Sequence, residues 1–311
     1  MKGRSPPFCK FLTSTPASAH SGSSKNRSQN DNNHQGGIRL HYSASGVLQY
    51  TLSNIVSITF FKIFLIGAGT AGSVVASRLS EECCVSVLLL EAGKAPPLLS
   101  AIPGIAASFL NSDLDWKYRT APQKYTGSAQ INSARCSRVE LRGSVALFLK
   151  QEDNLDLDFV ANGFHAVGGP TPAQRPRYES EIQGPILEAA EQFGYNYGDP
   201  NGAQQTGKFS DMQGIMEDGQ KRNDAENYLV PVENRTNLDI LTNAHVNKII
   251  MKGCQAEGVE FSCKGSKFVV KAKREVIVSA GVTNTPKLLM LSGIGPRKHL
   301  EKFKVRKLFW F

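Results

Sequence analysis

The sequence has no apolar run long enough to cross a lipid bilayer, for which a helix needs ~20 residues. The most apolar stretch, residues 56–66, is shorter and carries Lys62. A membrane anchor over residues 46–66 and a buried strand with its lead-in are the two interpretations, and the short length favours the strand. No positively charged segment followed directly by an apolar one precedes it, so no export signal is recognisable. We therefore expect no membrane partner.

Paired cysteines of the kind that bind metals are also absent. None of the six cysteines belongs to a C-x-x-C pair, and no histidine lies at metal-ligand spacing from any of them. Structural zinc sites need four such ligands at short, regular spacings. We predict that the chain has no metal site.

A basic surface interleaved with aromatic residues, which is typical of nucleic-acid-binding domains, is not found either. The chain carries 36 Lys and Arg against 27 Asp and Glu, a net charge of +9. More than half of this excess lies in the first 60 residues, where six basic residues accompany one acidic residue. Charge concentrated in a leader does not make a basic face on a folded domain, so we expect no nucleic-acid partner.

That leader is rich in Ser, Asn, His, Gly and Pro and is nearly free of apolar periodicity. Such a segment cannot bury enough apolar surface to offset the entropy that it loses on ordering. We predict a disordered leader over residues 1–57. The rest of the chain is long enough for one large domain or two ordinary ones.

What the sequence does contain is a glycine-rich turn between a strand and a helix. Residues 60–66 are mostly strand-forming and do not alternate with polar residues, as in a parallel strand covered on both faces. Gly67, Gly69 and Gly72 follow in the pattern G-x-G-x-x-G. In dinucleotide-binding folds the first glycine permits the turn, the second lets the backbone approach a pyrophosphate, and the third lets the helix pack closely. The predicted helix faces the sheet with three apolar residues, Val74, Val75 and Leu79.

A second predicted strand, residues 85–90, ends at Glu91, which lies 19 residues after Gly72. The fold needs a carboxylate there for the ribose hydroxyls, and an acid disfavours the 2′-phosphate of NADP. The alternative is an ordinary βαβ unit whose glycine turn holds no ligand. The strand, the helix and the acid at its proper spacing favour a dinucleotide, and they leave NAD and FAD open.

A family resemblance separates these two cofactors. Residues 65–96, which begin LIGAGTAGSVVASRL, and the DLDWKYRTAPQ of residues 113–123 resemble the start of the glucose–methanol–choline (GMC) oxidoreductases. Residues 237–251 and the REVIVSAGVTNTPKLLMLSGIGPRKHL of residues 274–300 resemble a later part of the same family. The resemblance implies FAD as cofactor. It also implies an α/β fold, with a Rossmann-like FAD-binding domain of GMC type and a partial substrate-domain insertion.

The resemblance also implies which residues contact FAD. The pyrophosphate would lie on the glycine turn, formed by Gly67, Gly69, Thr70, Ala71 and Gly72. Glu91 would bind the adenosine ribose, with Ala92 beside it. Val246 would contact the adenine through its backbone, and Ala280 with Gly281 would flank the cofactor. For Val246 and Ala280, a role as ordinary core residues is an equal alternative.

The chain departs from the family at two places. Family members carry a stretch similar to RGKxLGGSSxxN against the flavin, whereas residues 136–150 read CSRVELRGSVALFLK. Only Arg142, Gly143 and Ser144 match in part. The residues that follow resemble a later family segment, so we expect an internal block to be absent near residues 149–151. The chain also ends where the family continues.

The family oxidises the CH–OH group of an alcohol or sugar by transferring a hydride to the flavin, while a histidine base takes the hydroxyl proton. None of the six histidines of this chain lies in that catalytic context, so we predict no catalytic residue. The expected function is that of an FAD-binding oxidoreductase of GMC type that is catalytically incomplete. Its expected partners are FAD and a small-molecule alcohol or sugar.

The motifs divide the chain into five parts. These are a disordered leader (1–57), a first part of the FAD-binding domain (58–149), a partial substrate-domain insertion (150–218), a second FAD-binding part (219–305) and a truncated end (306–311).

Three local predictions concern the later segments. Apolar residues at helical spacing predict a helix over residues 185–193. The run over residues 276–279 predicts a buried strand. The helix after it is predicted to begin at Pro286, because proline suits a first helical turn.

Other hypotheses stay open. The chain can be a non-catalytic FAD-domain fragment that acts as a binding or regulatory product, or a partial gene product that does not fold. A nicotinamide dehydrogenase would keep the glycine turn, but it has no use for the segment SAGVTNTPKLLMLSGIG at residues 279–295.

Overall fold

The computed structural model describes residues 61–119, 132–134, 152–160, 163–199, 201–203, 206–211, 213–221 and 224–305. Three segments discussed above lie outside the described residues. They are the leader (1–57), the segment that differs from the family pattern (136–150) and the expected truncated end (306–311).

The strands are β1 (Ile63–Ile66), β2 (Val87–Leu90), β3 (Tyr118–Arg119), β4 (Asn132–Ala134), β5 (Glu152–Asn154), β6 (Thr171–Ala173), β7 (Asn196–Tyr197), β8 (Lys208–Phe209), β9 (Met216–Glu217), β10 (Gln220–Lys221), β11 (Leu238–Leu241), β12 (Ala244–Lys252), β13 (Gln255–Cys263), β14 (Ser266–Lys271) and β15 (Glu275–Val278). The helices are α1 (Thr70–Leu79), α2 (Leu157–Val160), α3 (Gln183–Gln192), α4 (Asp224–Tyr228), α5 (Gly281–Leu291) and α6 (Arg297–Lys302). Short 3₁₀ helices occupy Leu98–Ala101, Pro103–Phe109 and Val230–Val232.

Four parallel strands form the central sheet in the order β11, β2, β1, β15. Each residue of β1 and β2 is apolar and buried, because both faces of this sheet are covered. The chain moves outward from β1 through β2 to β11 and then returns to the other side of β1, which is the order of a Rossmann-like fold. The predicted α/β fold class is confirmed. β15 corresponds to the strand predicted over residues 276–279, but it is only half-buried, because its neighbours cover it less than they cover β11 at the opposite edge of the described sheet.

Two apolar clusters cover the two faces of this sheet. Successive strand residues point to opposite faces, so Ile63 and Leu65 belong to the first cluster and Phe64 and Ile66 belong to the second. The first cluster packs against α1 and α4. The second packs against the antiparallel sheet β12–β13–β14 and against α5. Burial of one large apolar side chain in such a cluster stabilises the fold by about 1.5–3 kcal/mol.

Helix α1 packs on the sheet mainly through small residues. Its most buried positions are Gly72, Ser73, Ala76 and Ser77. Two of the three residues predicted to face the sheet, Val75 and Leu79, pack at the margin of the first cluster. The third, Val74, is half-buried and lies outside it. The prediction was wrong at that position, because the helix turns Gly72, Ser73, Ala76 and Ser77 towards the sheet, which leaves Val74 outside the cluster.

Helix α5 begins earlier than predicted. It starts at Gly281, and Pro286 lies inside it, not in its first turn. The proline lacks the N–H that would bond to the carbonyl of Val282. Val282 is 81% exposed, so water can bind that carbonyl instead. Within the described ranges, no helix is both long and apolar enough to cross a membrane.

Residues 152–221 contain small two-stranded sheets. β5 pairs with β6 and β7 with β8 in parallel, while β9 and β10 are antiparallel. The Thr171 hydroxyl on β6 lies 2.9 Å from that of Tyr228 on α4, which ties this region to the helix layer. The helix predicted over residues 185–193 is α3, followed by Gly194 at a φ of +84°. The assignment of residues 150–218 to a substrate-domain insertion stays a prediction.

Candidate dinucleotide-binding site

The glycine turn after β1 is shaped by contacts that only glycine permits. Gly67 has a φ of +97°, and a Cβ atom there would lie 2.5 Å from the carbonyl oxygen of Ser279. A Cβ atom at Gly72 would overlap the carbonyl oxygen of Gly67. The first and third glycines are therefore required for the turn and for the close packing of the helix, as the sequence pattern predicts.

The second glycine faces open space. A Cβ atom at Gly69 would have no atom within 4 Å, and Gly69, Thr70 and Ala71 are all exposed. Gly69 caps the ten-residue helix α1, no side chain bonds to this cap, and the first turn has no acidic residue. A helix N-terminus carries partial positive charge and outward-directed N–H groups, which suits a phosphate. The turn can therefore hold an anion in front of Gly69.

The carboxylate of Glu91 is bonded directly to the glycine turn. Its Oε2 accepts a hydrogen bond from the backbone N–H of Ala68, and its Oε1 accepts one from that of Gly93, both at 2.7 Å. Because β2 ends at Leu90, Glu91 lies at the carboxyl edge of the sheet. Ala92 is half-buried in the bend that follows. The residue predicted to bind ribose thus lies next to those predicted to bind pyrophosphate.

Val246 lies on β12, which begins beside Glu91. The backbone N–H of Ala244 donates to the main-chain carbonyl of Glu91 at 2.9 Å. The side chain of Val246 packs against the second apolar cluster. This agrees with the alternative that Val246 is an ordinary core residue. A register shift between Val246 and Lys248 interrupts the pairing with β13 at this point, as a bulge does. The contact of the Val246 backbone with adenine stays a prediction.

Ala280 and Gly281 lie at the junction of β15 and α5. The N–H of Ser279 donates to the carbonyl of Ile66 at 2.8 Å, which holds the end of β15 beside the end of β1. A Cβ atom on Gly67 would lie 3.1 Å from the Cα of Ala280, so the junction touches the glycine turn. Gly281 is exposed and has a φ of +83°, a conformation that favours glycine.

One contact near this site could not be predicted from the sequence. The Tyr118 hydroxyl donates to Asn284 Oδ1 at 2.6 Å and accepts a hydrogen bond from Lys287 Nζ at 2.9 Å. The ring of Trp116 is parallel to that of Tyr118, with centroids 5.8 Å apart. Asn284 and Lys287 belong to the first two turns of α5, so these rings are fixed close to Gly281. The segments that carry Tyr118 and Asn284 are both recognisable in the sequence. Neither one indicates that its partner lies 166 residues away.

The fold and the site together define a class of protein. A parallel sheet in Rossmann order, a glycine turn leading into a helix, and an acid at the carboxyl edge are the parts of a dinucleotide-binding α/β domain. The sequence profile of a family described as GMC oxidoreductase matches residues 118–306, which is more than half of the chain. The chain belongs to the GMC oxidoreductase family.

Individual relatives agree with this assignment. Glucose dehydrogenase (FAD, quinone) of Drosophila pseudoobscura pseudoobscura is 34% identical over 284 residues, with 79% of this chain and 45% of the relative covered. Ecdysone oxidase of Spodoptera littoralis is 29% identical, with 79% and 47% covered. The crystal structure of pyridoxine 4-oxidase from Mesorbium loti matches with a TM-score of 0.70 and 26% identity, over 80% of this chain and 55% of that one. The chain spans about half the length of the curated relatives that it matches.

The glucose dehydrogenase alignment is longer than the part of this chain that it covers. It has 284 positions, whereas 79% of the 311 residues is about 246. About 38 alignment positions therefore have no residue in this chain. The totals do not locate these positions, so the absence of an internal block near residues 149–151 stays a prediction.

Proposed function

We propose that this chain binds FAD as the cofactor-binding part of a GMC-type oxidoreductase. The observation that carries the proposal is the convergence of three elements at one edge of the sheet. These are the glycine turn, Glu91, and the junction formed by Ala280 and Gly281. The family resemblance assigns each of them to a different part of FAD, and they contact one another directly.

The residues suit FAD in charge and in shape. The open space before Gly69 adjoins the N-terminus of α1, where a negative charge gains ~0.3–1 kcal/mol at an exposed position. Glu91 suits a ribose with free hydroxyls, because its carboxylate would repel the additional phosphate of NADP. NAD would meet the same residues, and the family membership favours FAD over NAD.

The proposed reaction class is the oxidation of a CH–OH group. Bound FAD would supply the acceptor for a hydride from the carbinol carbon of a small alcohol or sugar. This substrate class is proposed from relatives named glucose dehydrogenase, choline dehydrogenase and ecdysone oxidase. The chain's own residues would bind and orient the cofactor: the turn would hold the pyrophosphate, Glu91 the ribose, and the Val246 backbone the adenine.

We assign no catalytic base. Among the described histidines, His165 is buried between two carboxylates, His245 packs edge-on against Trp116, and His299 packs against Phe303. Each of these three side chains therefore has a packing or charge contact within the fold. The proposal is therefore that the 311-residue chain holds FAD without oxidising an alcohol by itself.

The visible absorbance spectrum of the purified chain tests cofactor binding. We expect a flavin spectrum, present on isolation or after FAD is added, that moves to the supernatant when the protein is denatured by heat. Glu91→Gln should weaken FAD binding, because it removes the charge that accepts the ribose hydroxyls and the backbone N–H groups. Glu81→Gln, on the exposed turn after α1, is a matched control that should bind FAD normally.

Three results would count against parts of the proposal. A colourless protein that unfolds sharply and takes up no FAD would contradict FAD binding. A broad, uncooperative thermal transition would favour the partial gene product that does not fold. Steady reduction of a dye with glucose or choline would show that the chain is catalytically complete.

A further inference from the structure

A buried charge cluster lies apart from the dinucleotide site, among the small sheets of residues 152–221. His165 Nδ1 lies 2.7 Å from Glu152 Oε1, and His165 Nε2 lies 2.8 Å from Asp199 Oδ2. The three side chains are 1%, 0% and 8% exposed, respectively. One imidazole is therefore held between two carboxylates that water hardly reaches.

Both imidazole nitrogens must carry protons if both contacts are hydrogen bonds to ionised carboxylates. An ionised carboxylate only accepts, and a neutral imidazole donates through one nitrogen alone. An imidazolium donates through both and also offsets one of the two negative charges. Burial lowers the pKa of His165, but the hydrogen bonds to Glu152 and Asp199 outweigh it, so the pKa is raised above its ordinary value.

Neutral donors also lie beside the cluster, and Asn154 Nδ2 is 3.0 Å from His165 Nδ1. Asn154 Nδ2 donates to Glu152 Oε1 at 2.9 Å, and the N–H of Ala166 donates to Glu152 Oε2 at 3.2 Å. The N–H of Asn201 donates to Asp199 Oδ1 at 2.8 Å. These bonds hold both carboxylates in place beside the imidazole.

Other charged groups also lie on the packed elements. Gln213 Nε2 donates to Asp156 Oδ2 at 2.7 Å, and Arg175 Nε lies 3.5 Å from the same oxygen. Asp153 Oδ1 accepts the N–H of Gly168. Two cations lie on the described parts of these elements. The guanidinium of Arg175 pairs with Asp156 and Asp158, and the side chain of Lys208 on β8 packs against Gly198, next to Asp199.

Backbone hydrogen bonds from Asn154 to Ala166 and from Gly169 to Glu152 join β5 to the His165 loop, whereas in the described part of the chain residues 196–199 have none to either. Glu152 lies on β5, which has three residues, His165 lies in the loop before β6, and Asp199 follows β7, which has two residues. β7 pairs only with the equally short β8 in the described sheets. Side-chain bonds are therefore a large share of what holds the Asp199 segment (residues 196–199) in place.

We propose that protonated His165 is a latch that holds the Asp199 segment against β5 and releases it as the pH rises. Since the folded chain raises the pKa of this histidine, the latch is complete below the ordinary value of about 6.5 and is lost as the pH passes the raised value. The proposal is independent of FAD binding.

Histidine titration by NMR on the full chain tests the charge of the latch. His245 and His299 are exposed and serve as internal references. We expect the ring signal of His165 to titrate at a higher pH than both references. In Asp199→Asn the His165 pKa should fall, whereas Asp218→Asn, a change at an exposed aspartate paired with Arg177, should leave it unchanged. A His165 that titrates together with the references in the unaltered chain would overturn the proposal.

Hydrogen exchange at about pH 6 and about pH 9 tests the release. After correction for intrinsic exchange rates, exchange in the Asp199 segment should be faster at about pH 9 than at about pH 6. The increase should be ~10-fold for each tenfold difference in the proton affinity of His165 between the closed and the open segment. Peptides from β12 and β13 should not change. Equal corrected exchange at both pH values in the unaltered chain would refute the latch, whatever the variants do.

Discussion

Replacing Asp239 with asparagine should stabilise the chain at alkaline pH and leave its stability unchanged at acidic pH. Asp239 lies on the edge strand β11, paired with Leu88 and flanked by the core residues Leu238 and Ile240. Burial raises the pKa of its carboxyl from 3.8 to about 7. Among the described residues, no hydrogen bond or ion pair to its side chain offsets this desolvation.

The direction of the effect follows from the raised pKa. Between pH 3.8 and about 7 the folded chain holds a proton that the unfolded chain has released. Stability therefore falls as the pH rises through this window, by up to about 1.4 kcal/mol per pH unit. The total reaches at most about 4 kcal/mol, a large part of the ~5–15 kcal/mol that holds a typical domain folded. Asparagine has the shape of aspartate without the charge, so the variant should gain this amount at about pH 8.

Urea unfolding of the two chains at about pH 3.5, below this window, and at about pH 8 measures the gain. The difference between variant and unaltered chain cancels the titration of other groups, including that of His165. Asp113→Asn is the matched control, because Asp113 is exposed and a hydrogen bond from Lys94 lowers its pKa. It should not gain stability at the higher pH. If Asp239→Asn changed the free energy of unfolding equally at both pH values, the inference of a desolvated carboxylate would be refuted.

Five further substitutions test the site and the core. Gly72→Ala should lower the free energy of unfolding by ~3 kcal/mol or more in urea titrations, because its Cβ would overlap the carbonyl oxygen of Gly67. Gly69→Ala should stay folded in the same titrations but lose FAD affinity, because its Cβ would enter the open space in front of the turn. Normal flavin binding by folded Gly69→Ala would contradict the assignment of that space to the pyrophosphate. Tyr118→Phe should lower the free energy of unfolding by ~1 kcal/mol through the loss of its two hydrogen bonds to α5. Leu89→Ala, at a fully buried position, should cost ~2–5 kcal/mol in the same assay, and Val269→Ala, at a position that is 61% exposed, should cost almost nothing.

The sequence predicted the first half of the site well because its signals are local. The strand, the glycine turn, the helix and Glu91 lie within 30 residues of one another, and each is specified by its own residues and neighbours. Backbone geometry requires the glycines at positions 67 and 72, so their spacing carries information in the sequence itself. The four-strand order could be expected in the same way, once the family resemblance placed the later motifs.

Features that depend on tertiary contacts were predicted less well. The rule that places proline in a first helical turn is local, but α5 begins where β15 leaves the sheet, which is fixed by the bond from Ser279 to Ile66. The half-burial of β15 depends on how far its neighbours cover it, since β11 at the opposite edge of the described sheet is mostly buried. The pairs Tyr118 with Asn284 and His165 with Asp199 could not be predicted, because no local pattern distinguishes a buried polar residue that has a distant partner from an exposed one.

The position of β15 beside β1 has a consequence for how the chain folds during synthesis. Ile63 pairs with Glu275, which is 212 positions later in the chain. At ~5–20 residues per second, a ribosome needs about 10–40 s to add that length. During this interval one edge of β1, which is wholly apolar, has no partner strand, and an unpaired apolar edge promotes association between chains. We expect nascent chains that stop before residue 275 to bind chaperones or to aggregate, and chains that extend beyond β15 to do so less.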